Sequence, residues 1–358
     1  MALTGRQWGK LSDALNEAFP GYNFMQRLLR REMDLALQNI AAQGPMPDVL
    51  YSVIEYTEAT NRTLELVEAA RRNRPNDPEL FAIAQELGLA PATGNLERML
   101  STSNIVFDVS SFRKRMATVE GQVCLVEIKG QNEGTGFLVG PNSVLTNYHV
   151  VQKIIEKKPG YTPGDVKLRF DYKRLDDGVT INSGTLYQVV DDWATWLVDS
   201  SRYSDVDTLP EPKPSDPDAD QLDYAVLRLK EKAAEENLGK VPGMDSTRGF
   251  MDLATVDTSY DFSENKVIFI VQHPLGMPLK VTVNTFRNFN GNSTRLTYLN
   301  DTEPGSSGSP VFNGNWNLVA LHHSGDPTFG QPAYNEGIPM EKIVSRLQQN
   351  GKLAQLMQ

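Results

Sequence analysis

The chain has 358 residues, more than one ordinary domain holds, and its 40% hydrophobic content supplies real cores rather than disorder throughout. A net charge of −10 at pH 7 excludes partners that need a broadly basic surface, so neither nucleic acid nor an anionic membrane is expected. The single cysteine, Cys124, excludes an internal disulfide and fits a reducing compartment; with no signal-like leader and no bilayer-length apolar run, cytoplasmic residence is the expectation.

Up to about residue 90 the apolar residues recur at helical spacing. Leu11, Ala14, Leu15 and Ala18 form one set, and Leu28, Leu29, Met33, Leu35, Leu37 and Ile40 a second. Val49, Leu50, Val53 and Ile54 follow, then Leu64, Leu66, Val67 and Ala70. Pro20-Gly21, Gly44-Pro45, Pro47 and Pro75 punctuate them, and Asn76-Asp77-Pro78-Glu79 reads as a capped helix start. Helices this short must pack on one another, so residues 1–92 predict an all-α bundle of about six helices. Residues 93–117, with Pro91 just before them, Ser101, Ser103 and the basic Arg113-Lys114-Arg115, read as a linker.

From residue 118 to 358 the pattern changes to short strands between glycine-rich turns, which predicts an all-β domain of sandwich or barrel type. Gln122–Ile128, Lys167–Tyr172, Val267–Val271 and Leu318–Leu321 are strand-like. Leu209–Pro217 is acidic and proline-rich, a solvated surface loop in this reading. Met340–Leu347 closes the chain as an amphipathic helix.

Three segments of the β half carry chemistry. His149 follows the apolar Val144-Leu145-Thr146-Asn147-Tyr148, Asp223 opens Asp223-Tyr224-Ala225-Val226-Leu227, and Ser307 sits in Pro304-Gly305-Ser306-Ser307-Gly308-Ser309-Pro310. Serine is a weak nucleophile until a base takes its proton. Neutral imidazole suits that task because it titrates close to working pH. A buried carboxylate then holds one tautomer and stabilises the imidazolium. Gly305 lets the chain turn so that the N–H groups of Gly305 and Ser307 face one oxyanion, a donor typically being worth roughly 3 kcal/mol. This chemistry needs neither cofactor nor metal. The chain order His, Asp, Ser differs from the orders in subtilisin and the α/β-hydrolases.

These segments resemble the trypsin-like serine peptidases of chymotrypsin fold, nearest to bacterial peptidases related to glutamyl endopeptidases and HtrA. The resemblance covers about residues 118–350. It implies two six-stranded β-barrels, with His149 and Asp223 from the first and Ser307 from the second. Gln272-His273-Pro274-Leu275-Gly276 resembles a segment early in the second barrel of these peptidases, where His273 is structural. Secreted zymogens of the family carry aspartate just before the nucleophile, and this chain has Ser306 there. Control is therefore expected from the preceding domain or from loop ordering. The stretch between His149 and Asp223 is long for the family, and the proline-rich loop accounts for the excess.

The resemblance leaves two readings of the specificity pocket. Counting back from Ser307, Asp301 falls where trypsin carries the carboxylate that selects arginine or lysine. Thr302 and His322 fall where glutamyl endopeptidases bind an acidic side chain. Asp301 would repel such a side chain unless His322 neutralised it, and the reading preferred is a basic P1 residue.

The helical half resembles effector-associated domain 1, a death-like adaptor domain of bacterial conflict systems. Gly5-Arg6-Gln7-Trp8, Ala18-Phe19-Pro20, Leu64–Arg71 and Asn76–Leu80 carry the likeness. It implies docking onto another protein bearing the same domain, with Arg71, Arg72 and Arg74 as a candidate interaction face. The whole chain then reads as a cytoplasmic serine endopeptidase acting on protein substrates and recruited into a defence or regulated-death pathway. A catalytically silent adaptor and an HtrA-like quality-control protease are the alternatives, the latter weakened by the lack of a PDZ-like module.

Overall fold

The computed structural model of the chain describes residues 3–75, 77–89, 107–209, 213–238, 247–257, 262, 266–325 and 333–358. The chain divides into two units, Met1–Leu100 and Ser101–Gln358.

The first unit holds α1 (Gly5–Ala18), α2 (Tyr22–Glu32), α3 (Met46–Ala59), α4 (Thr63–Asn73) and α5 (Pro78–Glu86), with a 3-10 turn at Leu37–Asn39. Thr4 caps α1 by accepting from the Gln7 N–H, while the Gln7 side chain returns to the Thr4 backbone. Asp77 accepts from the N–H groups of Glu79 and Leu80 and so starts α5; Asn76 lies outside the described residues. Leu11, Leu15, Met25, Leu29, Leu50, Val53, Leu66 and Leu80 are fully buried in one apolar core. The apolar set from Leu28 to Ile40 is not one helix. α2 ends at Glu32, Asp34 adopts a left-handed φ of 50°, and Leu37 reaches the core from the 3-10 turn. Arg71, Arg72 and Arg74 are engaged inside this unit. Arg71 donates to the Leu89 carbonyl, Arg72 pairs with Glu32 at 3.0 Å, and Arg74 donates to the Ala18 carbonyl.

The second unit begins with α6 (Val109–Gln122), which runs directly into β1 (Val123–Ile128). The linker expected over 93–117 therefore ends in helix, and its stretch 93–106 lies outside the described residues. Asp108 caps α6 through the Ser111 N–H. Arg113, Lys114 and Arg115 line its exposed side, while Phe112 packs edge-on against Trp316 at 5.4 Å. The basic cluster is the solvent face of an amphipathic helix, which is why it resembled a linker.

Then come β2 (Gln131–Gly140), β3 (Ser143–Thr146), α7 (Tyr148–Ile155), β4 (Val166–Arg174), β5 (Ile181–Gln188), β6 (Leu197–Ser201) and β7 (Tyr224–Arg228). These strands form one seven-stranded sheet in the order β5-β4-β1-β2-β3-β7-β6. Hydrogen bonds from Val190 N–H to the Arg228 carbonyl, and from Lys230 N–H to the Gln188 carbonyl, bring the end of β5 round to the end of β7. The sheet thus curls on itself, with one strand more than the six expected.

The remaining strands are β8 (Val267–Gln272), β9 (Lys280–Phe289), β10 (Leu296–Tyr298), β11 (Pro310–Asn313), β12 (Leu318–Gly325) and β13 (Asn335–Pro339). They close a barrel in the order β10-β13-β12-β11-β8-β9. The last helix, α8 (Met340–Gln349), buries Met340, Ile343, Val344 and Leu347. The fold is a helical bundle followed by a chymotrypsin-like β domain with a terminal helix, as the sequence patterns and the family resemblance together predict.

The proline-rich loop is not simply solvated. Residues 210–212 lie outside the described residues, but Lys213 sits 3.5 Å from buried Glu336 of β13. Asp216 accepts from the Gly291 N–H, and the Pro217 carbonyl accepts from Asn292. The loop straps the curled sheet to the closed barrel.

Candidate active site

β3 pairs antiparallel with β7, with Thr146 opposite Ala225. That register sets the chain leaving β3 beside the chain entering β7, and so brings His149, in the first turn of α7, to Asp223. His149 Nδ1 lies 2.6 Å from Asp223 Oδ2, and the His149 backbone N–H donates to Oδ1 at 3.0 Å. Asn147 donates to the Asp223 carbonyl at 2.8 Å. Asp223 is 0% exposed and its backbone is left-handed at φ 42°, a conformation aspartate tolerates better than most residues. Burial opposes its charge, but the His149 and His323 rings hold the carboxyl well below the usual carboxylate range.

Ser307 stands in the turn before β11. The turn is fastened to both the curled sheet and the closed barrel. The Ser307 carbonyl accepts from the Thr135 N–H at 2.7 Å, and the Gly305 carbonyl from Thr135 Oγ1 at 2.8 Å, both from β2. On the other side, the Gly308 N–H donates to the His322 carbonyl at 2.9 Å, and the His322 N–H donates to Ser309. Ser306, where secreted relatives of this design carry aspartate, is fully buried, and its Oγ accepts from the Glu303 N–H. Glycine is required twice here. A Cβ on Gly305, at φ 98°, would stand 2.8 Å from the His273 carbonyl, and one on Gly308, at φ 86°, would stand 2.1 Å from the Thr135 carbonyl.

Among the described residues, the N–H groups of Gly305 and Ser307 donate to no acceptor. They are free to receive a ligand oxygen. Ser307 Oγ approaches the His323 carbonyl at 3.5 Å, and no hydrogen bond joins it to His149 among the described residues. Such bonds are often long in an unliganded site and tighten with substrate bound.

His273 is 1% exposed, stacks on Tyr172 at 5.9 Å, and its Nδ1 lies 2.9 Å from the Met277 carbonyl. Burial pushes it down to about 4, so it is neutral and holds the turn after β8. The pocket candidates differ in burial and in their partners. Asp301 is exposed, and its backbone carbonyl accepts from Gln272. Thr302 is half-buried. His322 is buried with Nδ1 2.7 Å from the Tyr298 hydroxyl, and burial pushes it down to about 3. The idea that His322 neutralises Asp301 fails, since a neutral ring tied to Tyr298 offers no charge.

Sequence reasoning missed three residues of this centre. His323 reaches Asp223 Oδ2 at 2.6 Å. Asp207 lies behind His323 in the 3-10 turn Asp205–Thr208, and Arg295, 0% exposed, binds Asp207 through Nε at 3.2 Å and Nη2 at 2.8 Å. Burial opposes the charge on Asp207, but His323 and Arg295 hold it well below the usual carboxylate range.

Residues 1–88 match effector-associated domain 1, and residues 134–321 match the trypsin-like peptidase domain family. Exfoliative toxin A of Staphylococcus aureus is 28% identical over 199 residues, covering 56% of this chain and 59% of the toxin. The uncharacterized protein y4fB of Sinorhizobium fredii is 27% identical over 201 residues, covering 54% of this chain and 25% of that protein. The chain therefore spans about three fifths and one quarter of these two relatives. Among solved structures, Deg5 is 16% identical with a TM-score of 0.41, covering 67% of this chain and 94% of its own. The inactive form of the Rv3671c protease, of M. tuberculosis H37Rv, is 16% identical with a TM-score of 0.40, covering 68% and 96%. Since the family match takes in more than half of the sequence, the chain belongs to the trypsin-like peptidase domain family, with an N-terminal region that matches effector-associated domain 1.

Proposed function

We propose that the chain is an intracellular endopeptidase that cuts protein substrates with Ser307 as nucleophile, His149 as base and Asp223 as the group orienting that base. The observation that carries this reading is the buried Asp223 carboxylate on His149 Nδ1 at 2.6 Å, beside a pinned serine turn with two N–H groups open. Asp223 fixes the proton on Nδ1 and leaves Nε2 as acceptor. Ser307 Oγ attacks the scissile carbonyl carbon as its proton passes to Nε2. The oxyanion forms against the N–H groups of Gly305 and Ser307. The imidazolium then gives its proton to the departing amine, and water, activated by the same base, releases the acyl group from Ser307.

Of the two P1 readings, the exposed Asp301 carboxylate favours arginine or lysine, because among the described residues no cation pairs with it. Thr302 and His322 support the opposite choice only as neutral hydrogen-bonding groups. The helical unit recruits the enzyme to a protein bearing the same domain, in a bacterial defence or regulated-death pathway. Clustering on such a partner raises local concentration.

A fluorophosphonate probe tests the reading. The wild-type protein is expected to label, faster in the presence of a protein bearing the same domain, and Ser307→Ala is expected not to label. Equal labelling of the two proteins, or none in either with the partner present, would favour a silent scaffold.

A further inference from the structure

His323 adjoins His322 on β12 and is 4% exposed. Its Nδ1 meets Asp223 Oδ2 at 2.6 Å, the oxygen that His149 Nδ1 also meets at 2.6 Å. On the far side of the ring, Nε2 stands 3.3 Å from Asp207 Oδ2 and 3.9 Å from Glu336 Oε1, at ion-pair distance but without the alignment of a hydrogen bond. A neutral imidazole carries one N–H and one lone pair. In this position either tautomer would turn its lone pair on a carboxylate. Only the doubly protonated ring presents a positive edge to both sides.

The charges around it agree. Asp207, Asp223 and Glu336 bring three carboxylates to the ring from three different elements. The fixed cations are Arg295, bound to Asp207 and 3.8 Å from Glu336 Oε1, and Lys213, 3.5 Å from Glu336 Oε2. Among the described residues, the titratable groups that the third carboxylate, Asp223, meets are His149 and His323. His149 must stay neutral to act as a base, and His322 is neutral on Tyr298. Burial works against a charge on His323, yet the flanking carboxylates of Asp207 and Asp223 outweigh it and raise the ring to about 9.

We propose that His323 is a positioning residue, a buried cation that holds the Asp223 carboxylate and shares its Oδ2 with the catalytic base His149. The proposal rests on the triad reading above. A cation already seated on Oδ2 fixes the carboxylate from behind. It also weakens the attraction that this oxygen offers to a second cation forming at His149, whose ring centroid lies 6.1 Å from that of His323. The acid limb of the rate profile therefore lies at lower pH than it would without the His323 charge.

The rate of fluorophosphonate labelling of the full-length protein, followed from about pH 5 to about pH 9 around the imidazole range, reads this effect. In His323→Asn the amide keeps a donor beside Asp223 and carries no charge. Its acid-limb midpoint is expected to rise by about one pH unit. A variant that labels with an unmoved midpoint overturns the proposal and leaves the triad standing. A wild-type protein that never labels, with its partner present, overturns the triad instead. Nitrogen-15 NMR of the wild-type imidazoles reads the charge without any variant. His323 is expected to hold protons on both ring nitrogens at about pH 7, and a singly protonated ring there overturns the proposal whatever the labelling shows.

Discussion

Asp223→Asn is expected to lower the rate of labelling at Ser307 by about ten-thousand-fold while the protein stays folded. The amide is nearly isosteric with the carboxylate, so the fully buried site loses little packing. What changes is the proton. With an amide N–H turned to His149 Nδ1, the ring must carry its proton on Nε2, and it then has no lone pair to take the proton of Ser307. With the amide oxygen turned to Nδ1 instead, the tautomer survives, but the imidazolium forms without a counter-charge. Far-UV circular dichroism separates lost chemistry from lost fold. A folded variant that retains more than about a tenth of the wild-type rate contradicts the assigned role, because orienting carboxylates of this kind are worth several kcal/mol.

Arg295→Met is expected to destabilise the protease unit by about 3–5 kcal/mol. Arg295 is fully buried and spends its donors on Asp207, the Gln221 carbonyl and the Thr294 carbonyl. Its partner Asp207 belongs to the turn between β6 and β7, and Arg295 itself precedes β10, so the pair clasps the curled sheet to the closed barrel. Methionine fills the space and leaves Asp207 buried, with His323 as its one remaining cation among the described residues. Urea unfolding followed by tryptophan fluorescence suits the measurement, since Trp193, Trp196 and Trp316 lie in this unit. The double variant Arg295→Met with Asp207→Asn is expected to recover part of the loss, because no unpaired carboxylate then remains.

Much of the fold is legible because its signals are local. Each strand named from sequence is a short run between turns, and each lies in a strand of the structure, as Val267–Val271 does in β8, except that Gln122 ends α6 just before β1. The helical sets anchored on Leu11, Leu50 and Leu66 fill one core. The failures have a common cause in distance. α6 looks like a linker because it presents three consecutive basic residues to solvent, and the aromatic groove that takes Phe112 is built by Phe269 and Trp316, far along the chain. The Lys213 strap depends on Glu336 in the same way.

His149, Asp223 and Ser307 could be named from their settings, since each follows or opens a strand with characteristic neighbours. The layer behind them could not. Asp207 and Arg295 are 88 residues apart, and neither segment announces a buried ion pair. For His323 a signal existed: two adjacent histidines ending a buried strand. A polar pair there must find partners inside the protein, and alignment to the pocket drew attention to His322 alone.

If His149, Asp223 and Ser307 act together on one carbonyl, a structure of the protein with a phosphonate on its nucleophile will show them gathered around the adduct. Phosphorus is expected to be bonded to Ser307 Oγ, with His149 Nε2 within about 3 Å of an oxygen of the adduct and the phosphonyl oxygen between the N–H groups of Gly305 and Ser307. An adduct on another residue, or one on Ser307 with His149 out of reach and the oxygen turned away from both N–H groups, would contradict that joint action.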